Sequence, residues 1–252
     1  MLKNRRTGFT LTEVMVSLVA ASIVTAGAYA TFDYQHKSYQ RQEQVADMQQ
    51  NLRAGLYFML REIRMAGYDP TLQAEATILK ANRAELTFEA DGNVDGDIDD
   101  DTREIIRFAL TKDADRDGIA DSETCNLGRE YIRRRDGMET SAGLHSLARN
   151  LSALEFCYLL DNGTAMTTVS DAEKRARIRG VIVSVLFRTA RQIQEQPQSA
   201  RTYVPGSQDQ TLTPDFSGTR SSVWGPFSDR YQRRLAITRV RCRNMGLNPY
   251  ED

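Results

Sequence analysis

The chain has 252 residues, 40 % of them apolar and 27 % charged, which is a folded protein's composition with length for one large domain or two small ones. Lys and Arg number 33 against 34 Asp and Glu, and the resulting net charge of −1 excludes nucleic-acid binding by bulk charge. Two His and three Cys exclude a structural zinc finger and a disulfide-dense scaffold.

The first element is N-terminal. Residues 1–8 are short and basic, with Lys3, Arg5 and Arg6; residues 9–32 are apolar, with no charge from Val14 through Phe32. About 20 mainly apolar residues suffice to cross a bilayer as a helix, and the basic flank places the N-terminus on the cytoplasmic side. This is the one long apolar stretch, so a polytopic membrane protein is excluded. Cleavage as a secretory signal at Ala28-Tyr29-Ala30 would release Thr31 as the new N-terminus; without cleavage the helix is an anchor. Glu13 opens a third reading. A carboxylate inside a membrane helix costs about 2.5–3.5 kcal/mol on insertion scales, unless it sits at the helix start, near the positive dipole end.

The six residues Gly8-Phe9-Thr10-Leu11-Thr12-Glu13 resemble the processing signature of type IV prepilins and of the pseudopilins of type II secretion. The resemblance implies that an inner-membrane prepilin peptidase cuts after Gly8 and methylates the new terminus at Phe9. It also implies that Glu13 is the family's acidic residue. The chemistry fits that role: cleavage exposes an α-amine, whose ordinary pKa is about 7.7–8.0, and pairing it with a carboxylate of an adjoining subunit offsets the desolvation of both. In a twin-arginine export signal the aromatic would stand one position earlier than Phe9 does after Arg5-Arg6. No Pro precedes Pro70, so the proline kink common in major pilin helices is missing.

Residues 33–66 turn polar without losing helical character. They hold no Pro and one Gly, Gly55, and apolar residues at Val45, Met48, Leu52, Leu56, Met59, Ile63 and Ala66 follow in steps of three and four. Gly67-Tyr68-Asp69-Pro70 stops the helix. One helix over residues 9–66 would run about 87 Å at 1.5 Å per residue, with 9–32 as its membrane and assembly half and 33–66 as a stalk on the head. The sequence MQQNLRAGLYFMLREIRMAGYDP at 48–70 and the ending VRCRNMGL at 240–247 are similar to PilW-type minor pilins, relatives of the GspJ minor pseudopilin.

The expected fold is therefore α+β and pilin-like: a long N-terminal α-helix, anchor and stalk, packed on a mainly antiparallel β-sheet head over residues 67–252. Alternation predicts strands at 83–90 and 103–110 and a polar edge strand at 129–135. The runs at 151–160 and 178–189 are apolar enough to be central, and 231–243 returns as a late strand. Residues 192–228 carry four of the six Pro and read as a long surface loop pinned by Trp224.

Two loops, 91–102 and 112–124, are acidic. Asp113, Asp115, Asp117, Gly118 and Asp121 follow the DxDxDG order of calcium loops, in which alternate carboxylates face one concavity and Gly allows the turn. Asp91, Asn93, Asp95, Gly96, Asp97 and Asp99 repeat that order, with Ile98 at position eight. Both lack the distal Glu of an EF-hand: Thr102 and Thr124 stand at position twelve, and Glu123 one place early. Ca²⁺ is thus the expected cofactor, against the plain alternative of two solvated acidic turns. In a three-strand meander the loops would cap opposite ends and form separate sites. Cys125, Cys157 and Cys242 allow one disulfide in three pairings, or three buried thiols.

No G-x-S-x-G, H-E-x-x-H, G-x-G-x-x-G or P-loop pattern occurs, so no enzyme is expected. Arg133-Arg134-Arg135 and Arg233-Arg234 are basic clusters, the first read as a solvated edge. The resemblance implies a minor pilin stored in the bacterial inner membrane with its head in the periplasm. After processing it would pack with major and minor pilins in an extracellular type IV pilus, near the tip, where it would prime assembly and meet a tip adhesin. A type II minor pseudopilin is one alternative, and a secreted calcium-binding protein with a conventional signal peptide is another.

Overall fold

The structure is a computed structural model, and it describes residues 8–98, 103–135, 137–193, 199–218, 220 and 223–246. The chain divides into two compact units, Met1–Val45 and Ala46–Asp252. Helix α1, Leu11–Ile63, is continuous through both, against the expected 9–66. The first unit is its N-terminal part, where every residue from 8 to 32 is exposed.

In the second unit the remainder of α1 buries Met48, Leu52, Leu56, Met59 and Ile63, the stripe of three- and four-residue steps. Each such side chain contributes roughly 1.5–3 kcal/mol by leaving water. Gly55 marks the closest approach. A Cβ built there would lie 2.6 Å from the Ala148 Cβ, with Leu127 and Phe187 at 3.8 Å. Beside it the Asn51 Nδ2 donates to the Arg149 carbonyl at 2.7 Å, and the Arg149 amide donates back to Oδ1 at 3.3 Å. One residue before the helix end, Glu62 Oε1 pairs with Arg129 Nη1 at 2.8 Å.

The first sheet orders β1 (Ile78–Ala81), β2 (Glu85–Glu89), β3 (Ile105–Leu110), β4 (Leu127–Arg135) and β5 (Met138–Ser141), with β6 (His145–Ala148) also on β4. All of these pairings are antiparallel. Period-two alternation sends Leu86, Phe88, Ile106, Phe108 and Leu127 into the core. The opposite face carries a charged rung, for Thr87, Arg107 and Glu130 are register neighbours. Arg107 lies 3.1 Å from both Glu85 and Glu130, two carboxylates that are almost completely buried.

Two expectations are corrected here. The polar strand read as an edge is interior, because β4 lies between β3 and the β5–β6 segment. Three of its charged residues are paired across elements, Arg129 with Glu62, Glu130 with Arg107, and Arg134 with Glu89 and Glu139, while Arg133 and Arg135 are exposed. The segment 192–228 is not wholly loop. Among its described residues β10 (Arg201–Tyr203) pairs with β11 (Trp224–Phe227), and a 3₁₀ turn spans Gly206–Gln208. Trp224 is buried against Ala153 and Leu186.

The second sheet orders β12 (Arg233–Arg241), β9 (Ile178–Arg188), β7 (Leu151–Leu160) and β8 (Ala165–Met166), with a short helix α2 (Ala172–Ala176) before β9. β7 is buried at every position and β9 at all but one, so both faces of these two strands are covered and their sequences are mainly apolar. Two buried polar side chains join the sheets. The Tyr158 hydroxyl donates to the Asn82 and Glu85 carbonyls at 2.8 and 3.2 Å. Glu155 accepts from Arg83 Nε and Nη2 at 3.1 and 2.9 Å, and its other oxygen accepts from the Ser207 amide at 3.3 Å.

Candidate functional site

The N-terminal site begins in the coil before α1. A Cβ at Gly8 would meet nothing within 4 Å, so this fold does not itself require glycine there. Phe9 is 85 % exposed. Thr10 caps α1 through a reciprocal box: the Glu13 amide donates to Thr10 Oγ1 at 3.3 Å, and the Thr10 amide donates to Glu13 Oε2 at 3.0 Å. The Thr10 hydroxyl donates to the same oxygen at 3.0 Å. Glu13 therefore takes the helix-start position that was one of its two sequence readings.

Beyond Glu13, α1 is long and apolar enough to cross a membrane. Leu11, Val16, Leu18, Val19, Ile23 and Val24 are each more than 60 % exposed, an apolar surface that water does not favour. Ser22, Thr25 and Thr31 donate their hydroxyls to the carbonyls of Leu18, Ala21 and Gly27 at 2.7–2.9 Å. Their polarity is thus met inside the helix, as a lipid or helix-packed environment requires.

The acidic loops share one internal scaffold. Position one accepts from the glycine amide at position six, Asp91 from Gly96 at 3.2 Å and Asp113 from Gly118 at 3.1 Å. Position three accepts from the amide of position five, Asn93 from Asp95 and Asp115 from Asp117. Position five accepts from the amide of position seven, Asp95 from Asp97 and Asp117 from Ile119. The fourth and sixth positions have positive φ in both, Val94 and Gly96 in one loop, Arg116 and Gly118 in the other. Because β2, β3 and β4 form a meander, the loops cap opposite ends of the sheet.

Their acidic clusters differ from the expected ligand sets. Asp91 and Asp95 gather with Glu104, ligand oxygens within 4.8 Å of one another, and Asp91 and Glu104 are buried. Asn93 Nδ2 donates to Asp95 Oδ2 at 2.5 Å, Asp97 is not among the three clustered carboxylates, and Asp99 lies outside the described residues. Asp113, Asp115 and Asp117 form the second cluster. Asp121 does not join it, because its Oδ2 accepts from the Ala114 amide at 2.6 Å. Glu123 accepts from the Tyr231 hydroxyl at 3.0 Å, and Thr124 is held by Lys112 Nζ. Asp113 Oδ1 is buried and has no hydrogen-bond partner. Burial pushes the Asp113 carboxyl up to about 6, helped by Asp115 and Asp117 and opposed by the Gly118 amide. Sequence reasoning missed Glu104; its signal was an acid two residues beyond position twelve of the first loop.

Cys125, Cys157 and Cys242 are free, buried thiols. Burial pushes Cys157 and Cys242 up to about 12, far from the thiolate that oxidation needs. Cys157 packs with Leu159, Ala165 and Ile182 on one face of the second sheet. Cys242 follows Val240, which is in register with Val181 and so with Tyr158 on the other face.

Residues 3–29 match the prokaryotic N-terminal methylation motif, a span that holds the basic flank, Gly8, Phe9, Glu13 and the apolar start of α1. No curated protein matches the chain. A solved type IV-like pilin from Thermus thermophilus is similar with a TM-score of 0.47 at 12 % identity, over 78 % of this chain and 96 % of that one. The N-terminal segment of this protein is a prepilin-type methylation motif on a helix able to enter a membrane.

Proposed function

We propose that the protein is a minor pilin. It is held in the bacterial inner membrane by α1 with its head in the periplasm, cut after Gly8 by prepilin peptidase, methylated on Phe9, and packed into a type IV pilus near the tip. The observation that carries this reading is the uncovered apolar half of α1 directly behind the methylation motif. A surface of that kind is stable only in lipid or against other such helices, and extraction from one to the other is what a pilin does. Gly8 supports the processing step, since nothing among the described residues needs a glycine there and the requirement falls on an enzyme that handles the backbone. Loss of Lys3, Arg5 and Arg6 with the leader takes the net charge from −1 to −4.

Glu13 is the assembly residue in this reading. All three bonds from Thr10 engage through Oε2 or the Glu13 amide, so Oε1 accepts the amine of a neighbour's Phe9 without dismantling the cap. The test is Glu13→Gln, scored by co-purification with sheared surface fibres and by leader cleavage. Glu13→Gln keeps the capping geometry and removes the charge. Normal cleavage with fibre incorporation lost is the expected result, and unchanged incorporation overturns the assembly role. A deletion strain that loses surface fibres supports a pilus subunit, whereas one that loses only secreted enzymes assigns the same chain to a type II secretion pseudopilus.

We further propose that calcium clips the acidic loops. Two buried carboxylates facing an exposed one at Asp91, Glu104 and Asp95 support this, as does the orphaned Asp113 Oδ1 beside Asp115 and Asp117. Oxygen donors from alternate positions suit a hard divalent cation.

A further inference from the structure

The second unit carries a cleft of about 510 Å³ lined by Arg64, Arg239, Val240, Arg241 and Arg243. Arg64 directly follows α1, Arg239 and Arg241 stand on one side of the end of β12 by strand alternation, and Arg243 follows that strand. All four arginines are exposed, and among the described residues no ion pair holds any of them. The neighbouring Arg177 and Arg179 are already engaged by Asp161, at 2.9 and 3.8 Å. Among the described residues no acid lines the cleft.

Four guanidinium groups around one opening repel each other, and an anion of two or more charges relieves that repulsion. The guanidinium fork matches phosphate oxygens in bidentate fashion. A carboxylate offers two oxygens to four forks, whereas a terminal phosphate offers three and carries more charge. The cleft also falls within the range of about 300–1,000 Å³ typical of small-ligand sites.

We propose that this cleft binds a phosphate-bearing anion, the group shared by soluble phosphate esters and phospholipid headgroups. The site does not depend on the pilin reading and tests separately from it.

The probe is inorganic pyrophosphate, titrated calorimetrically into the full chain in an uncharged detergent at low salt. One saturable site is expected, weakened about tenfold or more in R239A/R241A, since each charge-assisted bond is worth about that factor. R239K/R241K should fall between, keeping charge without the fork, and R234A, exposed on the same strand but on its other face, should match the wild type. Equal melting temperatures establish that the variants are folded. Repeating the titration in nanodiscs distinguishes the two sources. Pyrophosphate binding lost in discs containing phosphatidic acid but kept in phosphatidylcholine discs assigns the headgroup, and binding kept in both assigns free phosphate. No saturable binding, or equal affinity in R239A/R241A and wild type, overturns the proposal. So does binding of a single-stranded oligonucleotide without pyrophosphate binding. Pyrophosphate binding seen only in E251Q/D252N would give the cleft to the chain's own C-terminus and also overturn it.

Discussion

Replacing Arg83 by Met strands a charge in the core. Glu155 sits in the middle of β7 with no exposure, and among the described residues two of the three hydrogen bonds it accepts come from Arg83. Removing one partner of a buried pair costs about 3–5 kcal/mol, because the remaining charge keeps its desolvation penalty. The Arg83 side chain is 29 % exposed, so water partly screens this pair and reduces the cost to about 2–4 kcal/mol. At roughly 2–4 °C per kcal/mol for a unit of this size, R83M should melt about 4–16 °C lower. Calorimetry of the full chain in detergent measures this. The single tryptophan, Trp224, reports locally, because it packs against β7 and β9 neighbours of the same segment that Ser207 ties to Glu155. The double variant R83M/E155L removes both charges and should recover most of the loss. A change under about 2 °C in R83M, or a double variant no better than the single, would refute the reasoning.

Further outcomes follow from the same geometry. Gly55→Ala gains helix propensity of about 1 kcal/mol but drives a methyl to 2.6 Å from Ala148, an overpacking that costs about 1–3 kcal/mol, so a net loss of up to about 2 kcal/mol is expected in a urea melt. Calcium at 10 mM, with dissociation constants of about 10⁻⁴–10⁻³ M, should add about 1.4–2.7 kcal/mol for each loop that binds it at pH 7.5, or roughly 3–11 °C per loop; no difference from chelator sinks the loop proposal. Because the Asp113 carboxyl is raised to about 6, the native state binds its proton more tightly than the unfolded chain, whose value is near 3.8. Its ion-free contribution to stability therefore falls as pH rises from about 4 to 6. Calcium must displace that proton below pH 6, so the calcium-induced rise in melting temperature should be smaller at pH 5 than at pH 7.5. Finally, buried thiols held up to about 12 at Cys157 and Cys242 should resist maleimide at pH 7.5 and react after unfolding, followed by intact mass.

Much of the fold was legible because it is periodic. The stripe from Met48 to Ile63 gave the packed part of α1, and the apolar runs at 151–160 and 178–189 became the fully covered strands β7 and β9. What local pattern does not carry is the partner of a charge. Residues 129–135 read as a polar edge strand, yet Arg129, Glu130 and Arg134 pair with Glu62, Arg107 and Glu89, residues far away in sequence. The same limit hid two site features. Glu104 joins Asp91 and Asp95 only because β2 and β3 bring both ends of their loop together. Arg64 joins Arg239, Arg241 and Arg243 only once the C-terminal strand lies beside the end of α1. The short β10–β11 pair was invisible in a segment rich in proline, because three or four residues leave no period to read.

The most direct test of the pilin reading is the N-terminal mass of the chain recovered from cells that have prepilin peptidase. A mature protein beginning at N-methyl-Phe9 is expected. A chain that keeps Met1–Gly8 in such cells, or one that begins at Thr31, would contradict it.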